Sequence, residues 1–129
     1  MKAKCLVFFA MLGCILALSI PSFAHHGNSS LDTGKKETIK GTVTQWLWAN
    51  PHCWLKVDVK DDSGNVVNWV VETNNAADMM EKGWSKQSFQ VGEEVTVTLE
   101  PVKNGKPAGR ILEVTKQNGQ VLGLGYLKH

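Results

Sequence analysis

The sequence predicts an all-β domain with one short helix. Three observations carry that expectation: apolar residues recur at every second position through separate stretches, turn residues punctuate them, and one stretch breaks the period. In "ETIKGTVTQWLW", Ile39, Val43 and Leu47 share one face, with Lys40, Thr42 and Thr44 on the other. Gly41 within it permits a bulge or a sharp coil. Asn50-Pro51 ends the strand, because proline donates no backbone hydrogen bond and restricts the residue before it. In "HCWLKVDVK", Cys53, Leu55, Val57 and Val59 alternate with Trp54, Lys56, Asp58 and Lys60, so Cys53 falls in line with the core face. "DDSGN" is a hairpin turn with Gly64 available for positive φ. "VVNWVVET" is apolar on both faces, which predicts a central strand.

The period then changes. "NNAADMMEKG" has Asn74 or Asn75 as a cap, Asp78 in the first turn and Gly83 as a stop, which is one short helix. "VGEEVTVTLEPV" and "GRILEVTKQNGQVL" supply two further strands, with Gly105 and Gly109 in the connection and Asn118-Gly119 as another turn. Three strands, a helix and two strands is the order of the five-stranded oligonucleotide/oligosaccharide-binding (OB) barrel, whose helix covers one end between strands three and four. A five-stranded open sheet satisfies the same order.

The amino terminus reads as an export signal. "MKAK" is a short positive region, Cys5 to Ile20 is apolar, Pro21 breaks the run, and "SFA" offers small residues to a signal peptidase. The expected division is a signal peptide at 1–24, a flexible polar arm at 25–36, and a barrel domain at 37–129. The apolar run is marginal for a membrane span and no positive flank follows it, so no membrane association is expected after cleavage. Cleavage also changes the charge. Of 14 Lys and Arg residues, Lys2 and Lys4 leave with the signal, so the remaining basic residues balance the 12 acidic ones. The basic footprint of a nucleic-acid binder is therefore missing, and no nucleic-acid partner is expected. Cys5 and Cys14 leave as well, and Cys53 alone cannot form an internal disulfide. It reads first as a small buried hydrophobe, with an intermolecular partner or a reactive or ligating sulfur as the alternatives.

A set of motifs runs through the chain: His25-His26 after the signal, "GTVT…W…NPH" from Gly41 to His52, Gly83-Trp84 after the helix, and "GEEVTVT" from Gly92 to Thr98. The combination resembles a family of short exported bacterial proteins known only as a domain of unknown function. That resemblance implies a small periplasmic β-barrel with no established activity. The chain departs from the family pattern after the double histidine, where Gly27-Asn28 replaces a serine and an aromatic residue.

The candidate functional residues are histidines and tryptophans. Cleavage after Ala24 makes His25 the amino terminus, so its free amine and ring nitrogen can bind one metal, with His26 beside it. His52, in the turn "ANPHCWL", is the natural further imidazole, and His129 is a weaker one. Such a nitrogen set suits Cu(II), an arrangement called a histidine brace. Zinc is the second choice, since it accepts three histidines and a water. The competing role for His52 is structural, its imidazole bonding backbone groups to shape the hairpin. Trp46, Trp48 and Trp54 crowd the same turn and form an alternative ligand surface, for a small molecule or a protein, unless they cap the barrel. Met79 and Met80 belong to the helix, one of them facing the core. No hydrolytic triad, H-E-x-x-H or phosphate loop is present, so nothing supports hydrolytic catalysis. A copper brace could carry oxygen chemistry, but the chain shows no broad substrate platform for it beyond the tryptophans, and an enzyme is not the expectation.

Overall fold

The computed structural model describes residues 30–127. The expected signal peptide lies outside them. The chain runs β1 (Glu37–Leu47), β2 (Trp54–Lys60), β3 (Val66–Glu72), α1 (Ala76–Glu81), β4 (Glu94–Pro101), β5 (Ala108–Lys116) and β6 (Val121–Gly123). The strand order is β3-β2-β1-β4-β5-β6, and β3 also pairs with β5 in parallel at Val70–Glu72, which closes the first five strands into a barrel. The result is an OB-like barrel, and the open sheet is excluded. β6 is an extra strand, laid antiparallel on the end of β5 after the turn at Gly119.

Closure depends on β1 serving two neighbours. Glu37 to Thr42 pair with β4, whereas Thr42 to Leu47 pair with β2. The strand must coil sharply where the two pairings meet, and Gly41 stands there. A Cβ at Gly41 would lie 2.2 Å from the Asp58 carbonyl oxygen, so β2 crosses where any side chain would stand. Gly109 repeats the device. Expected in a connection, it lies within β5, with the Glu100 carbonyl 2.3 Å from where its Cβ would be.

β1 also departs from strict alternation. A bulge between Val43 and Gln45 adds a residue to β1 and reverses the parity beyond it. Trp46 therefore turns inward and packs against the core. Leu47, expected on the core face, is 36% exposed. The interior is filled by Ile39, Val43, Leu55, Val57 and Val71 from the first three strands, and by Val95, Val97, Leu99, Ile111 and Val114 from the next two. Each contributes roughly 1.5–3 kcal/mol relative to leaving it in water. β3 is central only where both its edges are paired, and Val66 at its start is exposed.

The helix closes one end. Asn75 caps it, its side chain accepting from the Asp78 N–H at 3.0 Å, and Gly83 leaves it at φ +84°. Met79 is fully buried and Met80 exposed, which divides the pair as the helical period requires. Trp84 and Phe89 follow and complete the seal. The end of the expected arm is not free. Leu31 is 4% exposed and bridges Val102, while the Asp32 N–H donates to the Pro101 carbonyl at 2.8 Å. Leu31 docks on the edge of β4 beyond Leu99, which β1 leaves open.

Candidate functional site

The turn between β1 and β2 is built by three anchors. Asn50, joined to Pro51 by a cis peptide bond, accepts from the Ala76 N–H at the start of α1 through its side-chain oxygen, at 3.1 Å. Cys53 is fully buried, as its face parity predicts, and its Sγ lies 3.5 Å from the Ala49 carbonyl. The third anchor is His52. Beyond the first residue of β2 and the last of β3 the ladder slips by one. The Thr73 N–H donates to the Cys53 carbonyl, but the Cys53 N–H donates to the Asn74 carbonyl rather than to Thr73. The Thr73 carbonyl instead meets His52 Nδ1 at 2.8 Å.

That bond determines the chemistry of the ring. A carbonyl only accepts, so Nδ1 carries the proton and Nε2 of the neutral imidazole keeps its lone pair. A backbone carbonyl on Nδ1 is the usual support of an imidazole that ligates a metal through Nε2. The same bond shapes the hairpin, so the structural and ligating roles of His52 are compatible. Thr73 itself is almost fully buried, its hydroxyl shared between the Cys53 and Asn74 carbonyls at 3.3 and 3.0 Å. The site is thus held from beneath by a satisfied polar residue.

The three candidate tryptophans separate into two groups. Trp46 lies 6.0 Å from Trp84 and 5.2 Å from Phe89, ring centre to ring centre, and its indole N–H donates to the Ser85 carbonyl at 3.0 Å. Trp48 packs on Trp46 at 5.9 Å, and both rest against the core. These two rings cap the barrel. Trp54 points outward from β2, half-buried, with its ring 6.2 Å from that of His52 in an edge-on arrangement. Of the three, Trp54 is the one that borders the imidazole.

His25, His26 and His129 lie outside the described residues. Among the described residues, no group of three or more His, Cys, Asp or Glu side chains could hold a metal ion. Among the described residues, His52 thus has no neighbouring set of ligating side chains. Sequence reasoning missed Thr73, which holds the imidazole, took Asn74 only as a possible helix cap, and missed Asn74's partner Tyr126. Asn74 follows Thr73 and its side-chain amide donates to the Tyr126 hydroxyl at 3.3 Å. "LGLGY" was a signal for the last of these, since alternating leucines ahead of a glycine mark a packed strand and a turn.

No curated protein matches the chain. Among solved structures it is similar to Rim1, a mitochondrial single-stranded DNA binding protein from S. cerevisiae. The TM-score is 0.50 and the identity 9%, with 64% of this chain and 93% of that one covered. At that identity the likeness concerns the fold alone. The sequence is more telling: the chain belongs to a family of unknown function, DUF6152, whose model matches residues 12–111.

Proposed function

We propose that this protein is an exported copper-binding module. In this reading the signal peptide is removed after Ala24, and Cu(II) is held by Nε2 of His52 with the amine and ring nitrogens of His25. His26 stands next to that set, and zinc is the second metal. One observation carries the reading: the 2.8 Å bond from Nδ1 to the Thr73 carbonyl directs the imidazole lone pair to Nε2 and fixes the ring. Chain length is compatible with it. Strand spacing and rise separate Leu31 from Thr73 by roughly 15–20 Å, and a stretch of six residues, the number from Leu31 back to His25, can span at most about 20 Å. Oxygen chemistry at such a copper is not part of the proposal, which is for binding.

The test uses the processed chain, shown by mass to begin at His25, titrated with Cu(II) by calorimetry and EPR. One equivalent should bind with a nitrogen-rich EPR signature. An extra residue before His25 converts the amine to an amide, and His52→Ala removes the imidazole; each should weaken binding by about tenfold or more. Tight binding that survives both changes refutes the assignment.

The second reading, a metal-free ligand surface, is favoured only at Trp54, which is not committed to the core. It predicts quenching of Trp54 fluorescence by a small molecule or protein without metal. A nucleic-acid role is not proposed. The mature charge balance argues against it, and Arg110 on the outer face is neutralised by Glu100 at 2.9 Å.

A further inference from the structure

Trp54 is one of two aromatic rings that the barrel holds on its outside around the end of β3. Trp54 stands opposite Glu72, and Glu72 opposite Arg110, so these side chains share the outer face in one row across β2, β3 and β5. All three are half-buried. At about 4.8 Å per strand, Trp54 and Arg110 are roughly 10 Å apart with Glu72 between them. Tyr126 is set over Arg110, whose guanidinium lies 5.8 Å from its ring centre, and its hydroxyl accepts from the Asn74 amide just past β3. Trp54 and Tyr126 therefore flank Glu72 and Asn74.

Both rings are positioned before any ligand arrives. Trp54 meets the His52 ring edge-on at 6.2 Å, and His52 is tied to the Thr73 carbonyl. Tyr126 follows the buried Leu122 and Leu124, and Gly125 at φ +78° turns it out of their line. Neither ring belongs to the core, and Tyr126 is 52% exposed. Aromatic side chains kept at the surface and already ordered lose little freedom when they bind.

The spacing and the charges select the ligand. A flat ring in contact on both faces needs roughly 7–8 Å, at 3.5–4 Å per contact, which two rings at this separation provide. Between them lie a carboxylate that accepts, at Glu72, and a phenol O–H that can donate, at Tyr126. A pyranose matches that pattern, with C–H groups on its faces and hydroxyls around its rim. A nucleobase also stacks, but it arrives on phosphates. This face sets Glu72 and Glu100 against Arg110 and Lys56, with Glu100 on Arg110 at 2.9 Å, so no excess positive charge waits for them.

We infer that Trp54 and Tyr126 form a binding cleft for a neutral saccharide, with Glu72 and Asn74 as its floor. The inference gives an occupant to the metal-free surface proposed above at Trp54, and it rests on that reading rather than on copper.

The experiment is an NMR titration of the processed chain in EDTA with cellotetraose, chitotetraose and an oligothymidylate. A saccharide should bind with a Kd of about 1 mM or tighter and shift the Trp54 indole and Tyr126 ring signals. Trp54→Ala and Tyr126→Ala should each weaken binding by about tenfold, and Tyr126→Phe, which keeps the ring, by less. The wild-type shifts decide the matter even if a variant fails to fold. Saccharide binding that leaves both rings unshifted, or no binding of either saccharide, overturns the inference. Oligothymidylate shifting the two rings in place of the saccharides also overturns it, while leaving a metal-free ligand surface at Trp54.

Discussion

Replacing Gly41 by alanine should damage the barrel far more than a single methyl group suggests. The new carbon would lie 2.2 Å from the Asp58 oxygen and 2.8 Å from Val57 Cγ1, whereas real Cβ atoms stay beyond 3.0 Å. The contact atom is backbone, so relief requires β1 and β2 to part. Two weakened ladder bonds at about 1 kcal/mol each and overpacking strain of about 1–3 kcal/mol together give a loss of about 3–5 kcal/mol. For a domain whose total stability is of order 5–15 kcal/mol, this is a large fraction. Urea unfolding followed by tryptophan fluorescence measures it, and the midpoint should fall by about 2 M at an m-value of about 2 kcal/mol/M. Gly123→Ala is the matched control. Its Cβ would meet nothing nearer than 3.9 Å and its φ is not positive, so stability should hold or rise by about 0.4–1 kcal/mol. If Gly41→Ala unfolds within about 0.5 kcal/mol of the wild type, the argument that β1 closes the barrel by coiling at this glycine is wrong.

Three further outcomes follow from particular contacts. His52→Ala takes the donor from the Thr73 carbonyl and should cost only about 1 kcal/mol, so a modest urea shift alongside lost copper binding separates ligation from folding. Native Cys53 should resist maleimide because it is fully buried, and its labelling rate in urea should track unfolding; labelling as fast as a free thiol in native buffer would contradict that burial. Asn75→Ala removes the side-chain acceptor of the Asp78 N–H and should cost about 1 kcal/mol, while Asn75→Gly should cost only a few tenths. An Asn75→Ala midpoint equal to that of the wild type would show that the cap bond adds nothing.

Much of the fold was legible because it is recorded locally. The strands of Leu55 and Val57, or of Val95, Val97 and Leu99, announce themselves by alternation, and the helix by Asn75, Asp78 and Gly83. Leu47 and Trp46 were not legible. One bulged residue exchanges their faces, and a bulge is a property of a pairing rather than of either strand. Gly109 was misread for a related reason, since only the closeness of Glu100 shows why a strand needs a glycine there. The small strand β6 and the docked Leu31 depend on free edges that appear only once the barrel exists.

The candidate site divides in the same way. The sequence by itself determined that Cys53 faces the core and His52 does not, because neighbouring extended residues point to opposite sides. It also set which donor types the chain carries, His25, His26 and His52 among them. Only the tertiary structure decided which nitrogen of His52 is free, since that follows from a bond to Thr73, distant in sequence. It likewise brought Tyr126 to Asn74 and drew Trp46 away from the surface, onto Trp84 and Phe89. Alternation and caps act between near neighbours and can be read along the chain. Tautomers, ring stacks and shared anchors are set by long-range contacts, and these exist only after the barrel has closed.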